Sequence, residues 1–142
     1  FSDKVQAIRA AQVAGLDVCS GGIMGLGESI EDRIDMALSL RDLGIESIPV
    51  NMLNPIPGTP MEKYESLDEK EMQRIIAVYR FILPKAFIRL AGGRGLMRDK
   101  GKACFMSGAN AAISGDMLTT AGITVDKDKK LLEELDYRIK PL

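Results

Sequence analysis

The alternation of helix-type and strand-type segments is the feature that most constrains how this chain folds. One helical pattern is followed by four units, each made of a short apolar segment, a turn and a helical pattern. The spacing predicts helices over residues 3–14, 30–43, 69–83, 94–106 (with a break at Gly101) and 127–138, and strands over residues 16–23, 46–52, 86–90 and 111–114. Such an order is typical of parallel strands joined by right-handed helical crossovers. A doubly wound sheet and part of a (β/α)8 barrel both fit it.

The length of the chain limits how much of such a fold it can form. Its 142 residues predict a single domain over residues 1–142. A complete barrel usually needs ~250 residues, so this chain would supply about half of one. The first residue is Phe1 rather than Met, which favours a fragment or a processed product.

The composition excludes several classes of protein. Acidic and basic residues are interspersed and almost balanced, with a net charge of −1, which argues against a nucleic-acid-binding surface. No apolar run approaches the ~20 residues of a membrane helix, and no signal peptide is visible. We therefore expect a cytoplasmic protein that binds neither nucleic acid nor membranes.

Two absences narrow the possible chemistry. The chain contains no histidine, which excludes a Ser-His-Asp triad and histidine metal sites within it. Its two cysteines cannot complete a four-cysteine zinc or iron–sulfur site from this chain alone.

A glycine-rich turn follows the first predicted strand. Residues 16–28 read Leu-Asp-Val-Cys-Ser-Gly-Gly-Ile-Met-Gly-Leu-Gly-Glu, and Ser29, with Asp32 three residues on, predicts a capping box at the start of a helix. Such turns let a backbone approach a ligand closely and aim free N–H groups at it. The alternative is a tight turn whose glycines serve packing only. The motif matches neither the dinucleotide fingerprint nor the phosphate loop.

Three predicted strands carry a polar side chain opposite their apolar residues. The alternation of side chains places Cys19, Asn51 and Arg89 on one shared surface of the sheet. A buried guanidinium is costly unless it is paired or bound to something. The alternatives are an ion pair between Arg89 and Asp17, an inert buried thiol at Cys19, and a structural hydrogen bond from Asn51 to a neighbouring loop.

Smaller features lead to further expectations. Ser2 and Asp68 are predicted helix caps, and Pro49 argues against a fully bonded central strand. Cys104 lies among apolar residues and is predicted to belong to the core. Residues 115–126 are predicted as a loop, and the charge run of residues 126–130 as a solvated helix start.

Five segments, in this order and at this spacing, resemble the biotin synthase family. They are Cys-Ser-Gly-Gly-Ile-Met-Gly-Leu-Gly-Glu (19–28), Pro-Val-Asn-Met-Leu (49–53), Gly-Thr-Pro (58–60), Ile-Arg-Leu-Ala-Gly-Gly-Arg (88–94) and Cys-Phe-Met-Ser-Gly-Ala-Asn (104–110). The resemblance covers nearly the whole chain and corresponds to the C-terminal half of the enzyme. It implies an α/β fold in which parallel β/α units form about half of a (β/α)8 TIM-type barrel.

The resemblance also implies an activity and its cofactors. Members of this family are radical S-adenosylmethionine enzymes that convert dethiobiotin to biotin by inserting sulfur between two unactivated carbons. A [4Fe–4S] cluster cleaves S-adenosylmethionine to a radical that abstracts hydrogen from dethiobiotin, and a [2Fe–2S] cluster donates the sulfur. We expect the complete protein to be a homodimer.

Individual residues take their expected roles from the same resemblance. Cys19 and Arg89 resemble two ligands of the [2Fe–2S] cluster, and Asn51 resembles a residue that hydrogen-bonds dethiobiotin. Four positions are similar to those that bind S-adenosylmethionine: Gly21, Ile23 (packed on adenine), Gly25 (close backbone approach) and Asn54 (backbone near adenine). The resemblance assigns no catalytic residue to this chain.

The chain also departs from the family pattern. The Cys-x3-Cys-x2-Cys motif for the [4Fe–4S] cluster is absent, as are the other two cysteine ligands of the [2Fe–2S] cluster. The family places these in an N-terminal half, so we expect this chain to be inactive alone and to associate through its open sheet edges. The competing hypotheses are a different radical S-adenosylmethionine enzyme and a non-catalytic half-barrel that binds a small metabolite or a partner.

Overall fold

The computed structural model describes residues 1–116 and 122–140. The predicted loop of residues 115–126 therefore lies partly outside the described residues. The helices are α1 (Ser2–Val13), α2 (Ile30–Asp42), α3 (Glu69–Ile82), α4 (Lys102–Met106) and α5 (Val125–Glu134), with a short 3₁₀ helix at Arg94–Leu96. The strands are β1 (Gly22–Met24), β2 (Ser47–Met52), β3 (Phe87–Leu90) and β4 (Ala111–Ala112). No helix within the described ranges has the length and apolar character needed to cross a membrane.

The strands form one parallel sheet in the order β1-β2-β3-β4. Each strand is followed in sequence by helical structure before the next strand begins. Four parallel strands that alternate with helices confirm the prediction of β/α units forming about half of a (β/α)8 barrel.

The two faces of the sheet differ in composition. The side chains that pack against the helices are apolar and buried: Met24, Ile48, Val50, Met52, Ile88 and Leu90. They meet the buried stripe of α3, made of Met72, Ile75, Ile76 and Tyr79. The opposite face, here called the inner face, carries Cys19, Ile23, Ser47, Pro49, Asn51, Phe87 and Arg89. Its residues are half-buried or exposed, because none of the helices and strands that the structure describes covers them.

The first strand is shorter than predicted, and Pro49 supplies a physical reason. Instead of a continuous strand over residues 16–23, the structure has an isolated bridge between Cys19 and Ser47 and then β1 from Gly22. The Ser47 carbonyl faces β1, since it accepts a hydrogen bond from Ser20 N (3.1 Å). Pro49 has the same orientation two residues later and lacks an N–H. The ladder is therefore interrupted where that donor is missing, although β2 is a central strand.

The helix predicted over residues 94–106 is divided into the 3₁₀ helix Arg94–Leu96 and α4, with the non-helical residues 97–101 between them. The Asp99 carboxylate accepts hydrogen bonds from Gly101 N (2.9 Å) and Ala103 N (2.8 Å), so this local turn ends one helical piece and begins another. Gly101 adopts φ +87°, a left-handed conformation that interrupts a helix. This is the position of the predicted break.

Other predicted boundaries shifted at the element ends. Strand β4 covers two residues rather than 111–114. The last helix begins at Val125, because the Thr124 hydroxyl accepts a hydrogen bond from Lys127 N (3.4 Å) and caps it. Ser2 lies inside α1, so its predicted capping role was wrong, and Asp68 occupies the cap position of α3 without a side-chain cap hydrogen bond.

The turn between β1 and α2 is held together by Glu28. Its carboxylate accepts hydrogen bonds from the backbone N–H groups of Gly25 (2.8 Å) and Leu26 (2.7 Å) and from Arg33 Nε (2.8 Å). Arg33 Nη1 in turn donates to Glu71 on α3 (2.8 Å). The predicted capping box of Ser29 and Asp32 is also confirmed. The glycine-rich turn is thus fixed to two helices by charged, part-buried hydrogen bonds.

These contacts change the acidity of Glu28. Burial alone would raise the pKa of this carboxyl group, but the hydrogen bonds from Gly25, Leu26 and Arg33 outweigh it and lower the pKa below the ordinary value of 4.5. A lowered folded-state pKa means that the stabilising effect is complete above the unfolded value and is lost as the pH falls through the folded value.

We predict that Glu28→Gln destabilises the protein at pH 7 by about 1–3 kcal/mol, because it removes charge-assisted hydrogen bonds to the turn. The difference in the free energy of unfolding between the two proteins should begin to shrink below about pH 4.5, where the carboxylate of the unfolded chain takes up a proton, and it should vanish as the pH falls through the lower pKa of the folded state. Urea denaturation at several pH values measures this difference. Glu31→Gln, at an exposed position in the helix α2 that follows the turn, is the control, and a pH-independent difference for Glu28→Gln would contradict the prediction.

Candidate functional site

The amino-terminal end of the inner face brings Cys19 and Arg89 together. Cys19 pairs with Ser47 across an isolated bridge, and Arg89 pairs with Pro49 in the adjoining ladder. Arg89 Nη1 lies 3.9 Å from Cys19 Sγ, and Ser47 Oγ lies 3.4 Å from the same sulfur. Two residues that are 70 positions apart in sequence therefore share one site, as the alternation of side chains predicts.

The structure disagrees with two of the structural alternatives for these residues. Cys19 is exposed rather than buried, so the hypothesis of an inert buried thiol was wrong. Within residues 1–116 and 122–140, the ion pairs do not include Arg89, so its predicted pairing with Asp17 is not formed. The guanidinium and the thiol face a cavity of about 740 Å³ that Asp17 also lines.

This donor set fits an iron–sulfur cluster only in part. Thiolate is the usual protein ligand of such clusters, and a [2Fe–2S] cluster takes four ligands. Among the described residues, no group of three or more Cys, Asp or Glu side chains is placed to hold a metal ion. Cys19 can supply one thiolate, and Arg89 lies near enough to bind the same cluster. The described residues therefore offer one thiolate and one guanidinium at this place, which is fewer than the four ligands of such a cluster.

The carboxyl-terminal end of the inner face carries Ile23 and Asn51. These two residues are direct partners in the β1–β2 ladder, and the Ile23 side chain is 46% exposed. Asn51 Nδ2 donates to the carbonyl of Gly22 (3.1 Å), while its Oδ1 accepts from Gly92 N (2.9 Å). The alternative of a structural hydrogen bond to a neighbouring loop is therefore confirmed. A carboxamide has two N–H groups and two lone pairs, so one of each is left on Asn51 for another partner.

The glycines of the turn serve packing and conformation. A side chain at Gly21 would overlap the carbonyl oxygen of Pro49, and Gly25 has φ +98°. The N–H groups of Gly25 and Leu26 are bound by Glu28. The expectation that the turn offers free N–H groups to a ligand was therefore wrong for these two positions.

Asn54 lies apart from Cys19 and Arg89. It follows the end of β2 and lines a second cavity of about 720 Å³ together with Gly93 and Arg94. The structure thus divides the predicted residues between the two ends of the sheet, with Cys19 and Arg89 at one end and Ile23, Asn51 and Asn54 at the other.

Sequence analysis missed a buried ion pair beside the second cavity. Arg94 and Asp128 are 3% and 4% exposed, and Arg94 Nη2 donates to both carboxylate oxygens of Asp128 (2.6 and 2.5 Å). The Ser114 hydroxyl donates to the same carboxylate. The prediction that residues 126–130 are solvated was wrong for Asp128. A signal was available, because Asp128 lies at helical spacing with Leu131, Leu132 and Leu135, which pack on the core.

The second cysteine lies outside this site. Cys104 is buried in the core, as predicted, and burial raises the pKa of its thiol to about 12. A thiol with this pKa is protonated at neutral pH and is a poor nucleophile and metal ligand.

Comparisons with known proteins identify the family of this chain. The sequence model of the biotin and thiamin synthesis associated domain matches residues 49–138. The chain is 70% identical over 140 residues to a biotin synthase of Brachyspira hyodysenteriae and 59% identical over 139 residues to biotin synthase 2 of Corynebacterium diphtheriae. A biotin synthase of Akkermansia muciniphila is 58% identical over 140 residues.

These matches cover 98–99% of this chain but only 42–44% of each relative, so the chain spans less than half the length of the curated relatives that it matches. The matched domain includes β2, β3 and β4 and the helices that follow them, and with them Asn51, Arg89 and the Arg94–Asp128 pair. The chain belongs to the biotin and thiamin synthesis associated domain family.

Proposed function

We propose that this chain is the C-terminal part of a biotin synthase, an enzyme that converts dethiobiotin to biotin with S-adenosylmethionine and iron–sulfur clusters. The observation that carries the proposal is the approach of Arg89 to the exposed thiol of Cys19 on the inner face, 3.9 Å apart. A guanidinium beside a thiolate-capable cysteine is an uncommon donor pair. It occurs here in a chain that is 70% identical to a protein named biotin synthase.

In this proposal Cys19 is a thiolate ligand and Arg89 a further ligand of a [2Fe–2S] cluster. The cluster, when bound, supplies the sulfur atom of the product. Guanidinium is normally protonated and therefore a poor metal ligand, so a site that includes Arg89 is weaker at that iron than a four-thiolate site. The remaining ligands belong to the part of the protein that precedes this chain in its relatives, as do those of the [4Fe–4S] cluster.

The order of residues along the strands supports a layered site. Arg89 is in register with Pro49, and Asn51 lies two residues further along β2. Two residues of a strand span about 7 Å. A small elongated molecule held by Asn51 would therefore have one end near the Cys19–Arg89 pair. We propose that Asn51 binds dethiobiotin through its remaining donor and acceptor.

Three of the four residues proposed for S-adenosylmethionine lie at or just after the carboxyl ends of β1 and β2, namely Ile23, Gly25 and Asn54. Ile23 presents an exposed apolar side chain for contact with adenine, and Gly25 follows two residues later in the turn after β1. Gly21 acts by allowing β1 to approach β2 closely. Asn54 contributes from the loop after β2 through its backbone.

We further propose that residues outside this chain cover the inner face in a single-domain barrel, and that the complete protein is a cytoplasmic homodimer. Exposed apolar side chains on and beside the inner face, including Leu16, Ile23 and Phe87, support a covering partner. The chain by itself is expected to be inactive.

Replacing Cys19 in the full-length protein tests the proposal. Cys19→Ala should lower the rate of biotin formation at least about 100-fold, because loss of a direct ligand exceeds the effect of losing an outer contact. It should also remove the visible absorption of the [2Fe–2S] cluster. Cys104→Ala is the matched control, since it removes the other thiol, which lies in the core. This variant should keep both the rate of biotin formation and the visible absorption of the cluster. Normal biotin formation by Cys19→Ala would overturn the proposal.

A second variant tests the role of Arg89. In the full-length protein, Arg89→Met should alter the absorption spectrum of the [2Fe–2S] cluster, since it removes the nitrogen ligand while keeping an unbranched side chain. Phe87→Met, two residues away on the inner face, controls for a change of packing there. An unaltered spectrum in Arg89→Met would argue against ligation.

A further inference from the structure

The buried carboxylate of Asp128 joins three separate segments, because both Arg94 and Ser114 donate hydrogen bonds to it. Arg94 begins the 3₁₀ helix after β3, Asp128 lies in α5, and Ser114 follows β4. The other terminal nitrogen of Arg94, Nη1, is buried and has no hydrogen-bond partner among the described residues. Within residues 1–116 and 122–140, Asp128 is the carboxylate that forms an ion pair with Arg94. Buried pairs of this kind contribute little net stability, but they are strongly sensitive to the loss of one partner.

The backbone beside Arg94 is held against the end of β2. Met52 N donates to the carbonyl of Gly92 (2.8 Å). Gly93 has φ +80°, and a side chain there would overlap the carbonyl oxygen of Met52. The aliphatic stem of Arg94 packs against Gly101, where an added Cβ would come within 3.2 Å of it. Because Arg94 directly follows Gly93 in the chain, we expect a displacement of Arg94 to be transmitted to Gly92 and Gly93.

The same short segment orients Asn51. Gly92 N donates to Asn51 Oδ1 (2.9 Å), and the carbonyl of Gly22 accepts from Asn51 Nδ2 (3.1 Å). These two contacts fix which edge of the carboxamide carries the oxygen and which the nitrogen. They thereby decide where its remaining donor and acceptor point.

We infer that the Arg94–Asp128 ion pair fixes the orientation of the Asn51 carboxamide, so that Arg94 and Asp128 are positioning residues. Asp128 holds Arg94, Arg94 holds the Gly92–Gly93 segment, and Gly92 N holds Asn51 Oδ1. Arg94 and Asp128 act through Asn51 and need not touch dethiobiotin. The inference rests on the proposed function in one respect, namely that Asn51 binds dethiobiotin.

A double-mutant cycle in the full-length protein tests this inference, with equilibrium affinities for dethiobiotin and for S-adenosylmethionine as readouts. Asn51→Ala should weaken dethiobiotin binding about 10-fold or more, as expected for a lost hydrogen-bonding group. Asp128→Asn keeps the shape but removes the charge, and it should weaken dethiobiotin binding about 5-fold or more while changing S-adenosylmethionine binding less than about 2-fold. In the Asn51→Ala background, Asp128→Asn should have no further effect on dethiobiotin binding.

Two additional variants keep the test interpretable. Asp126→Asn removes an exposed carboxylate from the same helix and should leave both affinities unchanged. Ser114→Ala removes only one hydrogen bond to Asp128. It should weaken dethiobiotin binding about 2-fold, and it gives a measurement if Asp128→Asn does not fold.

Different results would contradict the inference and the proposed role of Asn51. Equal loss of both affinities in Asp128→Asn, or the same loss with and without Asn51, would show a merely structural pair and overturn the inference. If Asn51→Ala leaves dethiobiotin binding unchanged, the proposed role of Asn51 fails, and the inference fails with it.

Discussion

Strand β2 is hydrogen-bonded on both sides, to β1 through Gly22–Met24 and to β3 through Phe87–Leu90, and its alternation of side chains determines the rest of the structure. Ile48, Val50 and Met52 point to the helices and form the centre of the core. The residues between them necessarily face the other way. Since partners in a parallel ladder point to the same side, the register of β2 aligns Cys19 and Arg89 at one end of the inner face and Ile23 with Asn51 at the other.

Charged side chains hold two of the segments that follow strands of this sheet. Glu28 binds the backbone of the turn after β1, and Arg33 connects it to α3 through Glu71. Arg94 and Asp128 connect the segment after β3 to α5 in the same way, and this pair is more deeply buried than the Glu28–Arg33 pair. Both arrangements lie at the carboxyl ends of strands, where parallel β/α proteins place their functional loops. Glu28 is part-buried and Asp128 is buried, so a carboxylate accepts charged hydrogen bonds beside each of these two segments.

The sequence allowed the features with local causes to be predicted. The capping box of Ser29 and Asp32 depends on neighbouring residues, and the inner-face position of Cys19, Asn51 and Arg89 follows from alternation within each strand. The interruption of the first strand was not predicted, because it depends on which side of Pro49 faces β1. The break at Gly101 in the helix predicted over residues 94–106 was expected, but the hydrogen bonds that the Asp99 carboxylate accepts there were not.

The long-range contacts could not be predicted. Arg94 and Asp128 are 34 residues apart, and Arg33 and Glu71 are 38 apart, so no local pattern pairs them. For Asp128, only its place among the apolar positions of the last helix distinguishes it from the exposed charges beside it. Nor does the sequence show that Asn51 bonds both Gly22 and Gly92, since those contacts arise from three strands meeting at one edge.

The central claim is that Cys19 and Arg89 form part of one metal-binding site on the inner face. Anomalous diffraction at the iron absorption edge, from crystals of the full-length protein reconstituted with iron and sulfide, tests it most directly. We expect an iron peak within bonding distance of Cys19 Sγ, with Arg89 bound to the same cluster. Iron peaks confined to other parts of the protein, with Cys19 unbound, would contradict it.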